Sequence, residues 1–174
     1  MGSLSVTEQV FPTARSSLFA VLTDPTTYPR WLVGAKRIRE VSADWPAEGS
    51  DFKHVVGFGP LAIPDRTSVL RIVTDEQLEL LVRARPLVEA TVRFDLELSP
   101  VGCLLRMTET PRGVYKIVSP IARPLIDARN RRSLRRLAAV VSGAGPVRAA
   151  AGGDRTGTSR SVGNAAGTGL PHRP

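Results

Sequence analysis

This chain of 174 residues contains one cysteine, Cys103, and two histidines, His54 and His172. A lone thiol forms no intrachain disulfide and makes no zinc site by itself. The two histidines lie far apart in sequence, so no metal site is expected. Aromatic residues make up only 5% of the chain. No apolar run reaches the ~18 residues of a membrane span. The opening "MGSLSVTEQV" lacks a basic segment followed by an apolar one, which argues against a secretory signal. Its serines sit off the slot that an N-myristoylation signal needs. A cytoplasmic location is the resulting expectation. The chain also lacks Gly-x-Ser-x-Gly, a P-loop and a dinucleotide-binding glycine fingerprint, so no nucleophile–base–orienter set is visible.

Charge and apolar content are what the chain does have. Hydrophobic residues reach 42%, charged residues 23%, and the net charge is +8. The excess is spread along the chain. Residues 143–174 carry Arg148, Arg155, Arg160 and Arg173 against Asp154, and are rich in Gly, Ala, Arg and Thr. With almost no large apolar residues, this stretch cannot offset its ordering entropy and reads as a disordered tail. Residues 1–142 are the expected domain.

Within that domain, "SVTEQVF" (5–11) reads as a strand. Pro12-Thr13 ends it, with Thr13 placed to cap a helix over 14–23 that puts Leu18, Val21 and Leu22 on one face. Asp24-Pro25 stops this helix, and Pro25 can open a second short one. Six strand-length runs then follow between residues 36 and 110, separated by turn signals such as Gly59-Pro60 and Ser99-Pro100. In the run 91–98, Val92, Phe94, Leu96 and Leu98 alternate with Arg93, Asp95 and Glu97, the pattern of an antiparallel sheet with one dry face. A long helix is expected over about 117–142, regular from near Pro124. Ile126, Leu134, Leu137, Val140 and Val141 share one arc, with Asn130 and Ser133 inside it. One strand, two short helices, six strands and a long helix give an α+β fold. A curved seven-stranded antiparallel sheet would wrap around the C-terminal helix and leave an internal cavity.

Four stretches carry a family resemblance over about residues 4–142. They are "LTDPTTYPRWL" (22–32), "VSADWPAEGSDF" (41–52), "VRFDLELSPVGCLLRMTETP" (92–111) and "IARPLIDARNRRSLRRLAAV" (121–140). Together they resemble the SRPBCC superfamily of START-like helix-grip proteins, in particular its polyketide cyclase/dehydrase and lipid transport group. The resemblance implies the helix-grip fold and a cavity for a hydrophobic molecule. It says less about activity, because one fold hosts many functions.

The candidate site residues follow from the strand alternation. His54 shares a face with Phe52, Val56 and Phe58, and Glu109 follows Leu105 and Met107 on the inner face of the last strand. Either could do acid–base work in a cavity, or be a satisfied core group. Asn130, inside the apolar arc, could reach Glu109 or a ligand oxygen. Trp31, with Phe94 and Leu96, would add apolar wall, and Tyr28 would sit near the cavity entrance. Arg129 lies at the edge of the arc, where a side chain can snorkel to water. Arg83 and Arg85 read as outer-face residues paired with acids, and Cys103 as a small inward hydrophobe.

Three functions follow. The first is binding of a lipid, isoprenoid or polyketide-like compound in the cavity. The second is an aromatic polyketide cyclase or dehydratase acting in the same cavity, with His54 and Glu109 as its catalytic pair. The third uses Arg131, Arg132, Arg135 and Arg136 against an acidic partner. Without interleaved aromatics or a known motif, a nucleic-acid partner is disfavoured. No cofactor is expected.

Overall fold

The computed structural model describes residues 5–57, 60, 62–84, 88–113 and 119–143. The tail beyond Gly143, together with Phe58 and Arg85, lies outside the described residues. The chain forms β1 (Ser5–Phe11), α1 (Arg15–Thr23), a 3-10 turn (Pro25–Thr27) and α2 (Tyr28–Trp31). Strands β2 (Ala35–Val41), β3 (Asp51–Val56), β4 (Ile63–Val73), β5 (Gln77–Ala84), β6 (Val88–Ser99) and β7 (Gly102–Pro111) follow. Helix α3 (Ser119–Gly143) closes the fold.

The seven strands make one antiparallel sheet in the order β1-β7-β6-β5-β4-β3-β2. β1 and β2 are adjacent in sequence yet occupy opposite edges, so the intervening helices must carry the chain from one edge to the other. Register shifts in β2 and β4 mark bulges, which bend a sheet and raise its twist. This is the helix-grip arrangement that the element order predicted.

The local chemistry explains the joint. Asp24 accepts hydrogen bonds from the Thr26 backbone N–H at 2.9 Å and from the Thr26 hydroxyl at 2.7 Å, which caps the 3-10 turn that Pro25 begins. Pro29 falls in the first turn of α2, where its missing N–H costs nothing. The break therefore lets two short helices meet at an angle and drives Trp31 and Tyr28 into the core. Trp31 meets Tyr28 at a ring separation of 4.9 Å and Phe94 at 6.2 Å. Two sequence expectations shift slightly. Thr13 does not cap α1; its N–H turns back to Phe11 O at 2.8 Å, and Ala14 stands at the cap position without a side-chain bond. Helix α3 runs through Pro124 rather than starting there, because a proline in the first turns removes a single bond on an exposed face.

The core lies between the concave face of the sheet and the helices. Leu18 and Leu22 of α1, Leu134 and Leu137 of α3, and Phe94, Leu96, Leu105 and Met107 of the sheet form its body. Among the described residues no helix is long and apolar enough to cross a membrane.

The β6–β7 hairpin depends on Gly102, whose φ is +142° and which lies against the chain at Phe11–Thr13. A Cβ there would run into the Phe11 carbonyl and approach Thr13 N at 2.8 Å. Gly49 also has positive φ, +86°, but open space around it. Gly49→Ala should therefore cost about 1 kcal/mol, and Gly102→Ala about 3 kcal/mol or more, since backbone must move as well. Urea unfolding of both variants checks this; equal losses would contradict the close approach at Gly102.

Candidate functional site

Helix α3 makes its main contacts with β1, α2 and α1. Its apolar residues Leu134, Leu137, Val140 and Val141 belong to the C-terminal half and pack in the core. Its N-terminal half instead carries Asp127, Arg129, Asn130 and Ser133, each bonded to the sheet, the α2–β2 loop or the helix itself. The Ser5 hydroxyl donates to Asp127. The Val33 backbone N–H donates to Ser133 Oγ at 3.1 Å, and that hydroxyl donates to Arg129 O at 3.0 Å. Fastened this way, the polar half does not fill the hollow of the sheet. A cavity of about 200 Å³ remains.

The wall of the cavity is apolar over most of its extent. Trp31, Leu80, Val82, Val92, Phe94 and Met107 supply much of it, and the loop Leu32–Ala35 completes one side. Its polar members fall into two groups. On β3 and β4 are His54, Asp65 and Thr67; on β7 and α3 are Glu109 and Arg129.

The first group is a cross-strand cluster. His54 and Asp65 are direct partners in the β3–β4 register, which places both side chains on the concave face. His54 Nε2 lies 2.9 Å from Asp65 Oδ2, with side chains only 2% and 1% exposed. Thr67 Oγ1 approaches the same nitrogen at 3.3 Å. The other oxygen, Asp65 Oδ1, accepts the Arg83 backbone N–H at 3.1 Å. A carboxylate accepts only, so it fixes a proton on Nε2. Nδ1 is buried and has no hydrogen-bond partner. The Phe52 ring meets the imidazole edge-on, with centroids 5.0 Å apart.

The second group is a closed network. Glu109 Oε2 accepts from the Arg129 guanidinium and from Asn130 Nδ2, the latter at 3.1 Å. Arg129 also donates to Asn130 Oδ1, from Nε at 3.2 Å and from a terminal nitrogen at 3.0 Å. Buried charge is tolerated here because it is paired and hydrogen-bonded on both sides. The aromatic polar atoms near the cavity are also occupied. The Tyr28 hydroxyl donates to Leu22 O at 2.8 Å, and Trp31 Nε1 donates to Thr27 Oγ1 at 3.1 Å. Burial, helped by the nearby Asp24 charge, pushes the Tyr28 phenol above its usual value, so it stays protonated and committed to that carbonyl.

Several sequence expectations meet this geometry directly. Trp31, His54, Val56, Phe94, Met107 and Glu109 line the cavity. Phe52, Leu96, Leu105 and Asn130 do not; they are buried beside it. Alternation fixes the face of a strand but not the depth along it. Leu96 and Leu105 pair with each other across β6–β7, toward the end of the sheet where α1 packs. Phe52 is covered by Tyr28 and Trp45 at ring separations of 5.1 and 4.9 Å. Asn130 holds Glu109 instead of a ligand. Arg129 is more than a solvated edge: it carries the ion pair with Glu109. Arg83 donates to Ser68 Oγ at 3.4 Å. Cys103 is buried, and desolvation raises its thiol, which leaves it unreactive. The four arginines 131, 132, 135 and 136 are exposed on the outer face of α3.

Sequence reasoning missed Asp65 and Thr67 as a pair with His54. β4 starts at Ile63, so Asp65 and Thr67 both lie within it. Once Asp65, Thr67 and Val69 are read as one alternating face, the signal is visible.

No family model matches the chain, and no curated protein matches it. Solved structures do. A Staphylococcus aureus protein of unknown function, SA2116, superposes with TM-score 0.67 at 11% identity, covering 82% of this chain and 95% of the other. Ara h 8.0201 gives TM-score 0.67 at 11% identity over 82% of this chain and 99% of its own. DynU16, a protein of the dynemicin biosynthetic locus, gives TM-score 0.61 at 15% identity over 80% of this chain and 47% of its own. At these identities the likeness establishes the fold.

Asp65→Ala removes acceptors from a buried donor, His54 Nε2, and from the part-buried Arg83 N–H, and should lower stability by about 2–4 kcal/mol. Asp65→Asn keeps an oxygen for one of them and should lose about half as much. Chemical denaturation of the two variants provides the measurement, and equal, negligible losses would show that Asp65 does not anchor the cluster.

Proposed function

We propose that the protein binds a compact hydrophobic small molecule in the cavity between sheet and α3. The supporting observation is the cavity itself: an apolar wall with its charged groups paired in two clusters. Such a wall, with a few polar groups to orient the guest, is what small-molecule sites share. The volume of about 200 Å³ is below the ~300–1,000 Å³ of typical ligand pockets. An apolar cavity of ~150 Å³ accepts benzene. One or two fused rings therefore fit, and within the lipid, isoprenoid and polyketide-like range the small cyclic members are favoured. Membership of the SRPBCC superfamily is part of this reading, supported by the fold.

A second reading is favoured by one feature, the His54–Asp65 pair. An imidazole held by a carboxylate is a general-base arrangement. A cyclase or dehydratase would use it to take a proton from a guest positioned in the dry cavity. Glu109 is less suited to the partner role, since Arg129 and Asn130 occupy its carboxylate.

Binding is tested by native mass spectrometry of protein from its own host and by uptake of naphthalene in solution. A small cyclic adduct, or naphthalene uptake lost in the cavity-filling Ala90→Phe, is expected. Bare chain mass together with no uptake by the wild type would remove the reading. For the enzymatic reading, His54→Ala should abolish turnover of the extracted compound while naphthalene binding persists; full turnover in that variant excludes His54 as the base.

A further inference from the structure

The outer face of α3 carries charge that the fold does not use. None of its exposed residues is acidic, and Arg131, Arg132, Arg135 and Arg136 crowd its middle. On the outer face of the sheet, by contrast, Lys53 meets Glu40, Arg66 meets Asp51, Arg93 meets Asp95, and Arg106 meets both Glu8 and Glu97. Among the described residues none of the four α3 arginines has such a partner. Arg131 with Arg135, and Arg132 with Arg136, stand four residues apart, where like charges oppose a helix. The helix dipole gives little in return, because no basic residue lies in its last turn. Arg30 of α2 extends the basic surface: it is exposed and lines the same groove as Ala138 and Ser142. Leu125, seven residues before Arg132 on the same arc, is 75% exposed.

We propose that this face docks on an anionic lipid bilayer, with the arginines on headgroup phosphates and Leu125 in the interface. It is a different surface from the cavity, and it stands or falls separately from the small-molecule reading. Three features point to a bilayer. Guanidinium forks match phosphate oxygens, and clustered basic residues on a helix are drawn to anionic leaflets. An exposed leucine beside them adds apolar contact with the acyl boundary. The exposed arc holds no aromatic to stack on a base, the usual device for gripping a nucleic-acid strand. Shape agrees with charge. α3 is held from behind by β1, α1 and α2, so it offers a convex ridge that a flat surface can meet along its length. Arg129, which lines the cavity, lies three residues before Arg132, so the docking face adjoins the cavity wall.

The test is co-sedimentation of the full chain with vesicles of phosphatidylcholine, with and without phosphatidylglycerol. Binding should require phosphatidylglycerol and fade as sodium chloride rises, since exposed charges are screened. The variant R131Q/R132Q/R135Q/R136Q should bind at least about a hundredfold more weakly, at roughly a fewfold per arginine. All four side chains are exposed, so the fold should survive the change. R148Q/R155Q/R160Q/R173Q removes the same charge from the tail and should stay within a fewfold of the wild type. Leu125→Ala should weaken binding about tenfold through lost apolar contact. Equal binding to both vesicle types, or binding to neither, would overturn the proposal. So would full affinity in the α3 or the Leu125 variant, or a loss in the tail variant as large as that in α3, which would mean that only bulk charge matters. Tighter retention by duplex DNA than by phosphatidylglycerol vesicles would assign the face to nucleic acid instead.

Discussion

The ion pair of Glu109 with Arg129, braced by Asn130, sets the position of everything around the cavity. It joins the last strand to the helix that covers the sheet. Glu109 is buried while Arg129 is half-buried, and desolvating the carboxylate offsets much of their attraction, so the pair adds little net stability. Its value lies in geometry: breaking it leaves a charge stranded, so helix and strand hold one register. Ser5–Asp127 and Val33–Ser133 fasten the same half of α3 to β1 and to the α2–β2 loop. The helix is thus anchored at its polar half by directional bonds and at its apolar half by Leu134, Leu137, Val140 and Val141. Directional bonds hold without filling space. That division explains why a well-packed core and a cavity coexist under one helix.

The same reasoning separates the two polar clusters. Around Glu109 the carboxylate is held from both Arg129 and Asn130, and these two also bond to each other, which is how a structural network looks. Around His54 the network stops one bond short. An apolar residue in place of His54, with another in place of Asp65, would avoid burying a charge at all. Keeping a histidine and a carboxylate on the dry face of a sheet runs against the local preference for apolar side chains. Departures of this kind concentrate where a structure meets a ligand.

The architecture was readable because its signals are periodic. The alternation of Val92, Phe94 and Leu96 gave the dry face, and the Asp24-Pro25 and Pro29 breaks gave the joint that turns Trp31 inward. What periodicity lacks is depth. Phe52 and Val56 share a face with His54, yet Phe52 lies under Tyr28 and Trp45 while Val56 meets the cavity. That outcome depends on which helix covers each stretch of sheet, information carried by residues far away in sequence. Asp65 lies just before the most strand-like run of its segment, behind a proline. Proline inside a strand is uncommon, because it removes a ladder donor. Pro64 is tolerated near the start of β4, where it faces Val55. Arg129 was hidden for a third reason: a helical wheel places a side chain on an arc but cannot say that a long one bends back to a strand.

Cavity size bears on the proposed small-molecule reading. A long acyl chain needs more room than about 200 Å³. To enlarge the cavity, α3 would have to lift from the sheet at its N-terminal half. That movement would break the contacts of Asp127, Arg129, Asn130 and Ser133 together, since all four lie within two turns of one helix. Neighbouring bonds on one rigid element are lost as a unit, and the Glu109 carboxylate would be left buried without its cation, a cost of several kcal/mol. A long apolar tail gains about 0.8 kcal/mol for each buried methylene, but it gains that only after the helix has moved. A rigid ring that fits the existing space meets no such barrier. The clamp on α3 therefore fixes the dimensions of the cavity, on which the small-molecule proposal rests.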